Sequence, residues 1–225
     1  MKYKTFRQFH KRNKGTTMVE MVVSFMLLSI FVSSAAVIIF NVTNLYYHVR
    51  SESYARQVAD IVVNKVSTEI TGAYYDEILT SYNPKIYEKD MDGNDVDGSA
   101  IELRDRTNTL VRIYAKDGIL QVYYLPIVNQ EDTSKSRVAT IWNYDKSVYN
   151  GYTITELDFA QANSTRNASL ASHYQVSDVN INEYDGNVIA VYMKLESGKY
   201  GDFTVCRFFR IYNAPKNAEI EYVSH

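Results

Sequence analysis

Apolar residues follow three patterns along this chain. From Met21 to Tyr47 they are nearly continuous, and 27 residues pass without an Asp, Glu, Lys or Arg. As a helix rising about 1.5 Å per residue this run would reach roughly 40 Å, more than the roughly 30 Å hydrocarbon core of a bilayer. Beyond Asn44 the pattern becomes a stripe. Tyr54, Val58, Ile61, Val62, Val66 and Ile70 recur every three or four residues, Ala55 and Ala59 widen the stripe, and Arg50, Glu52, Arg56, Asp60, Lys65 and Glu69 fall mainly elsewhere on the wheel. That spacing predicts an amphipathic helix lying on a core, with Gly72 as its stop. One helix over 16–72, transmembrane over about 18–45, accounts for both patterns. Two helices broken near 41–44 would do so too.

Downstream of Gly72 the period shortens towards two. Residues 74–89 are tyrosine-rich and end at Asn83-Pro84, which predicts a short helix or an irregular loop. Residues 100–104, 109–115 and 119–125 read as strands, the last two joined at Asp117-Gly118, a hairpin turn signal. Residues 129–137 are polar and read as a loop. Trp142 sits in the stretch 141–149 as a core or rim aromatic, and residues 152–159 alternate like a strand. Residues 162–172, rich in Ser, Asn and Ala, predict a surface loop holding the sequons Asn163-Ser164-Thr165 and Asn167-Ala168-Ser169. Val176, Val179 and Ile181 alternate imperfectly, and Asp185-Gly186-Asn187 is a turn. Residues 188–195 and 203–212 form the clearest hairpin, and a polar tail follows Pro215. A helix followed by strands is an α+β arrangement with an antiparallel sheet, placed in a C-terminal globular head over 73–225.

Charge adds a direction. The net charge of −2 hides a split: residues 1–15 hold Lys2, Lys4, Arg7, Lys11, Arg12 and Lys14 with no acid, so the remainder carries −8. A basic flank before a membrane span stays cytoplasmic, with the acidic body on the far side. The same balance argues against nucleic acid as a partner. An ordinary secretory signal would end at a small-residue cleavage site; residues 33–36 offer one, but Val37-Ile38-Ile39-Phe40 continues the apolar run past it.

Glu20 stands at the start of that run. A carboxylate within a membrane helix costs on the order of 2.5–3.5 kcal/mol on insertion scales and usually has a partner. Cleavage after Gly15 would leave Thr16 as a new N-terminus, its ammonium about one helical turn from Glu20. The amine of a neighbouring copy, shifted along the axis, would then neutralise this acid only on assembly.

The basic leader, Gly15, the run Thr16-Thr17-Met18-Val19-Glu20 and the apolar helix together resemble the class III signal of type IV prepilins and pseudopilins. The resemblance covers roughly residues 1–50. It implies a leader over 1–15 that an aspartyl membrane peptidase removes after Gly15, methylation of the new terminus at Thr16, and an assembly role for Glu20, the fifth residue after the cut. Phe is the usual first residue of that family, so Thr16 points to a minor pilin or pseudopilin. The implied partners are the prepilin peptidase, other pilin subunits packing helix on helix, the membrane and, indirectly, an assembly platform protein and ATPase. No cofactor is implied. The implied function is a structural subunit of a pilus-like filament or of a secretion or competence-type pseudopilus, stored in the membrane and then carried to the cell surface. A single-pass anchored binding protein that does not assemble is the alternative, and a module secreted after Ala35 or Ala36 is a third reading.

Other chemistry is sparse. Asp90, Asp92, Asn94, Asp95 and Asp97 crowd one stretch, but an EF-hand started at Asp90 would place Asp95 and Ile101 where Gly and Glu are required. An exposed acidic turn is the primary reading and an irregular Ca²⁺ site the weaker one. Cys206, the only cysteine, excludes an intrachain disulfide and reads as a structural thiol in a strand. His10, His48, His173 and His225 have no ligand spacing, and no nucleophile elbow, phosphate loop or dinucleotide fingerprint is present, so catalysis is not expected. The 20 tyrosines suit strand faces as well as a binding surface.

Overall fold

The fold is known from a computed structural model, which describes residues 17–75, 83–126, 138–177 and 179–223. α1 (Met18–Gly72) is one helix of 55 residues with no break at 41–44. The described residues fall into two compact units, the first reaching His48 and the second beginning at Val49.

In the first unit the helix surface is apolar and uncovered. Every described residue up to His48 is exposed except Ala35, which is half-buried. The serines do not spoil that surface, because their hydroxyls bond back into the helix. Ser24, Ser33 and Ser34 donate to the carbonyls of Glu20, Ser29 and Ile30 four residues earlier, and Ser29 donates to Met26, all at 2.7–2.8 Å. Internal satisfaction of this kind is what a nonpolar surrounding requires. This helix is long and apolar enough to cross a membrane.

In the second unit the rest of α1 packs on a nine-stranded, mostly antiparallel sheet. Ala55, Val58, Ala59, Val62, Val63, Val66 and Ile70 are buried, at the spacing of three and four that lines one helix face. A fully buried Val or Ile side chain contributes about 1.5–3 kcal/mol. Val63 takes a place the stripe assigned to Ile61, which stays 38% exposed. At the edge of this contact Lys65 donates to Glu69 and to the Tyr124 hydroxyl, which in turn donates to Glu69 at 2.6 Å.

The strands are β1 (Lys85–Lys89), β2 (Asp95–Arg104), β3 (Leu110–Lys116), β4 (Ile119–Leu125), β5 (Thr140–Asn143), β6 (Thr153–Gln161), β7 (Val188–Glu196), β8 (Phe203–Arg210) and β9 (Glu221–Val223). Their main path runs β5-β4-β3-β2-β6-β7-β8, with β1 also beside β2 and β9 beside β1. Two pairings, β2 with β6 and β1 with β9, are parallel, so the sheet is mixed where a wholly antiparallel one was expected. The β2–β6 junction is a single close approach, Gly98 against Leu157. It falls where β2 slips register against β1, between the partners of Tyr87 and Lys89. Gly98 has φ +107°, and a Cβ there would meet the Leu157 backbone.

The core on the α1 side takes Ile101, Ile113 and Val122 from one half of the sheet and Leu157, Ile189 and Met193 from the other. A smaller cluster on the opposite face joins Ala190, Tyr192, Cys206 and Phe208 to Leu170, Ala171 and Tyr174. Those last three residues belong to α2 (Thr165–His173) and its C-cap, where a surface loop was expected. Capping explains the difference: Ser164 Oγ accepts from Asn167 N at 3.2 Å. Buried Asn167 then donates to the Ala162 carbonyl at 2.7 Å and accepts from the Tyr192 hydroxyl at 2.6 Å. One sequon asparagine is therefore sealed inside the fold.

Two further expectations are corrected. Residues 85–89, expected in a loop or short helix, form β1 because β2 and β9 flank them on both sides. The expected polar tail after Pro215 is instead anchored in the core: Ala218 and Ile220 are buried, as are Ile211 and Ala214 just before it, and β9 follows. Gln161 fixes it, donating from Nε2 to the carbonyls of Gly186 at 2.8 Å and Ala218 at 2.6 Å. The loop expected at 129–137 lies outside the described residues.

Candidate functional site

The start of α1 carries the candidate site. Thr17 precedes the helix, and its hydroxyl accepts from Glu20 N at 3.3 Å while its carbonyl accepts from Met21 N at 3.1 Å. Thr17 is thus the N-cap and Glu20 the third helical residue, the spacing of half a capping box. The pattern Thr-x-x-Glu was present in the sequence, and this local role of Thr17 was not read from it. An acid in the first turn is also favoured by the helix dipole, by about 0.3–1 kcal/mol when exposed.

Glu20 is exposed, and among the described residues it forms no ion pair. Around it stand Met18, Val19, Met21 and Val23, all exposed. The carboxylate is therefore available at one end of a bare apolar helix. Gly15 and Thr16, the predicted processing residues, lie outside the described residues, as do the basic leader, His10 and His225.

The acidic stretch at 90–97 folds on itself. Asp90 Oδ1 accepts from the N–H groups of Asp92 at 2.9 Å and Asn94 at 2.8 Å, and Oδ2 accepts from Lys116 Nζ. Residues 92–95 are exposed, as the turn reading had it, whereas Asp90 is buried, and β2 begins within the stretch at Asp95. Burial alone would raise the Asp90 carboxyl, but Lys116 and the N–H donors outweigh it and hold the group down at about 2. Asp97 accepts from Gly118 N at 3.3 Å. Asp90 and Asp97 are thus drawn to separate protein donors, and no group of three or more His, Cys, Asp or Glu side chains able to hold a metal occurs among the described residues.

The remaining sequence candidates have structural settings. Cys206 is half-buried on the outer face of β8, and burial pushes its thiol up to about 11, far from a nucleophile's range. His173 Nε2 lies 2.7 Å from Glu156 Oε2 at the surface. Of the tyrosine clusters, Tyr149 and Tyr152 are core residues, bonded to Leu120 N at 2.9 Å and the Ser51 carbonyl at 3.0 Å. These two therefore serve as core aromatics. Trp142 packs edge-on against Tyr144 with Lys65 above its ring.

No protein-family model matches the chain, and no curated protein matches it.

Proposed function

We propose that the chain is a structural subunit, a minor pilin or pseudopilin, of a type IV pilus-like filament or of a secretion or competence-type pseudopilus. The observation that carries this reading is the uncovered apolar helix of residues 18–47, with a single carboxylate at one end. Such a surface needs a nonpolar surrounding. The bilayer supplies one while the subunit is stored, with the leader cytoplasmic and the head outside. The helices of neighbouring subunits supply another after leader removal. Glu20 gives the second setting its register, since only a neighbour's new terminal ammonium at Thr16 neutralises it there. The serine hydroxyls bonded into the helix support both settings.

Intact mass of the membrane-extracted chain from its own host tests the proposal. A chain beginning at Thr16, with or without one added methyl, is expected. One beginning at Met1 would instead make the protein an anchored head that does not assemble, and one beginning near Val37 a secreted module. Gly15→Ala should abolish processing. Glu20→Ala should leave it largely intact and abolish assembly into filaments; normal filaments from that variant would refute the role given to Glu20.

A further inference from the structure

Among the described residues, the main path of the sheet ends in two strands with one neighbour each, β5 and β8. Register shows which backbone groups face the open sides. Ile211 N donates to the Asn187 carbonyl at 2.9 Å, and this pair continues the β7–β8 register. Odd-numbered residues of β8 therefore bond to β7, and Thr204, Cys206, Phe208 and Arg210 turn their N–H and C=O groups to the open side. At the other end, Asp117 (φ 56°) and Gly118 (φ 78°) form the type I′ turn that makes Lys116 and Ile119 a mutually bonded pair. Counting on through β4, Thr140 and Trp142 bond to β4, while Ile141 and Asn143 face the open side.

The two edges match in three respects. The path holds five antiparallel steps and one parallel step, so β5 and β8 run in opposite directions within one molecule. A copy added along the sheet, turned by the sheet's own twist, then presents β5 antiparallel to β8. The faces agree as well. Cys206 and Phe208 lie on the α2 side and Trp142 on the α1 side, so Ile141, alternate to Trp142, shares the face of Cys206. Finally, shape agrees: Val138 and Ile141 are exposed on the β5 edge at 71% and 55%. The β8 edge borders a cleft of about 510 Å³, walled by Arg56 and Ala59 of α1 and by Val176, with Val205 and Cys206 along it.

We propose that the β5 edge of a second copy, residues 138–143, enters this cleft and pairs antiparallel with β8, Ile141 opposite Cys206. In that register Trp142 meets Val205, Val138 meets Phe209 and Thr140 meets Arg207. Arg207 Nη1, which in a single copy lies 3.0 Å from the Cys206 carbonyl, swings aside and finds the Trp142 ring on its diagonal. The contact is head-to-tail and propagates from copy to copy. It deepens the filament reading and rests on it for its setting.

The test uses the full chain in native membranes and in detergent micelles. Ile141→Cys places a thiol opposite Cys206 of the neighbouring copy, in a bonded pair with Cα atoms about 5.5 Å apart, inside the disulfide range of about 4.4–6.8 Å. Because the Cys206 thiol is held up at about 11, copper-phenanthroline at mildly alkaline pH serves as oxidant. A reductant-sensitive ladder of multimers is expected, completely lost on adding Cys206→Ser and absent with Thr140→Cys, whose thiol lies on the other face. No ladder from an Ile141→Cys protein with native circular dichroism overturns the proposal. A ladder equally strong with Thr140→Cys also overturns it, since that marks collision without register. A dimer from the unsubstituted chain through Cys206 alone overturns it too, by pairing β8 with β8 across a two-fold. The filament reading fails separately, on a chain mass that still begins at Met1, whatever the ladder shows.

Discussion

Replacing Gly98 by alanine should open the join between the two halves of the sheet. Two costs add at that position. At φ +107° an L side chain is strained by about 1–3 kcal/mol. The new Cβ would also stand 2.8 Å from the amide nitrogen and carbonyl carbon of Leu157, about 0.6 Å inside the 3.4 Å of ordinary contact, and closer still to the carbonyl oxygen. Backbone cannot rotate out of the way as a side chain can, so β2 and β6 must separate, at about 1–3 kcal/mol for overpacking. The neighbouring bond from Phe159 N to Ser99 Oγ, 3.0 Å and buried, would stretch with them. The expected loss is about 2–6 kcal/mol, or very roughly 5–20 °C in Tm at about 2–4 °C per kcal/mol for a unit of this size. Gly93→Ala is the control: φ is +80° but nothing lies within 4 Å of its Cβ, so only the conformational cost of about 1–2 kcal/mol remains. The assay is thermal melting of the full chain in micelles, followed by near-UV circular dichroism. Equal Tm values for the two variants would refute the view that contact at Gly98 holds the halves together.

Acid should weaken the head through Asp90. Its depressed carboxyl contributes stability that is complete above pH 3.8 and lost as pH falls through about 2. Asp90→Asn should therefore lose about 1–2 kcal/mol at neutral pH after allowance for solvent screening. The variant should also show a smaller drop in urea midpoint between pH 5 and pH 2 than the parent. At the alkaline end, burial and then Asp158 raise the Tyr174 phenol, and burial raises that of Tyr192. Raised folded values mean stability that is present below the ordinary tyrosine value near 10 and lost as pH climbs beyond it. In an absorbance titration at 295 nm these two rings should ionise only together with unfolding, and smooth ionisation of all 20 tyrosines in a folded chain would contradict their placement.

What could be read ahead of the structure followed the strength of local pattern. The stripe at Ala55, Val58, Val62, Val66 and Ile70 needs only helix geometry, so it was legible, and so was the hairpin at Asp117-Gly118, where two residues determine the turn. β1 was not legible, because Lys85–Lys89 has no pattern of its own and is a strand only between β2 and β9. α2 was hidden in the same way: its anchor is the buried amide of Asn167, bonded to a tyrosine 25 residues away. Asp90 looked like one acid among several, since the lysine that neutralises it lies 26 residues downstream. Glu20 stood out from the apolar run alone. The open edges at β5 and β8 were invisible beforehand, because being an edge is a property of strand order, not of composition.

The parallel pairing of β9 with β1 has a consequence for biogenesis. Lys85 faces Glu221, so β1 waits while 136 further residues are synthesised before its second neighbour exists. Until then Gln161 Nε2 lacks the Ala218 carbonyl that accepts from it. A chain inserted co-translationally would have its apolar helix threaded into the bilayer long before its head could shut. Closure is then a late, long-range event of the slow kind expected for non-local pairing. Quality control acting before that point would meet an open sheet, and would tell finished heads from unfinished ones by whether residues 211–223 had docked.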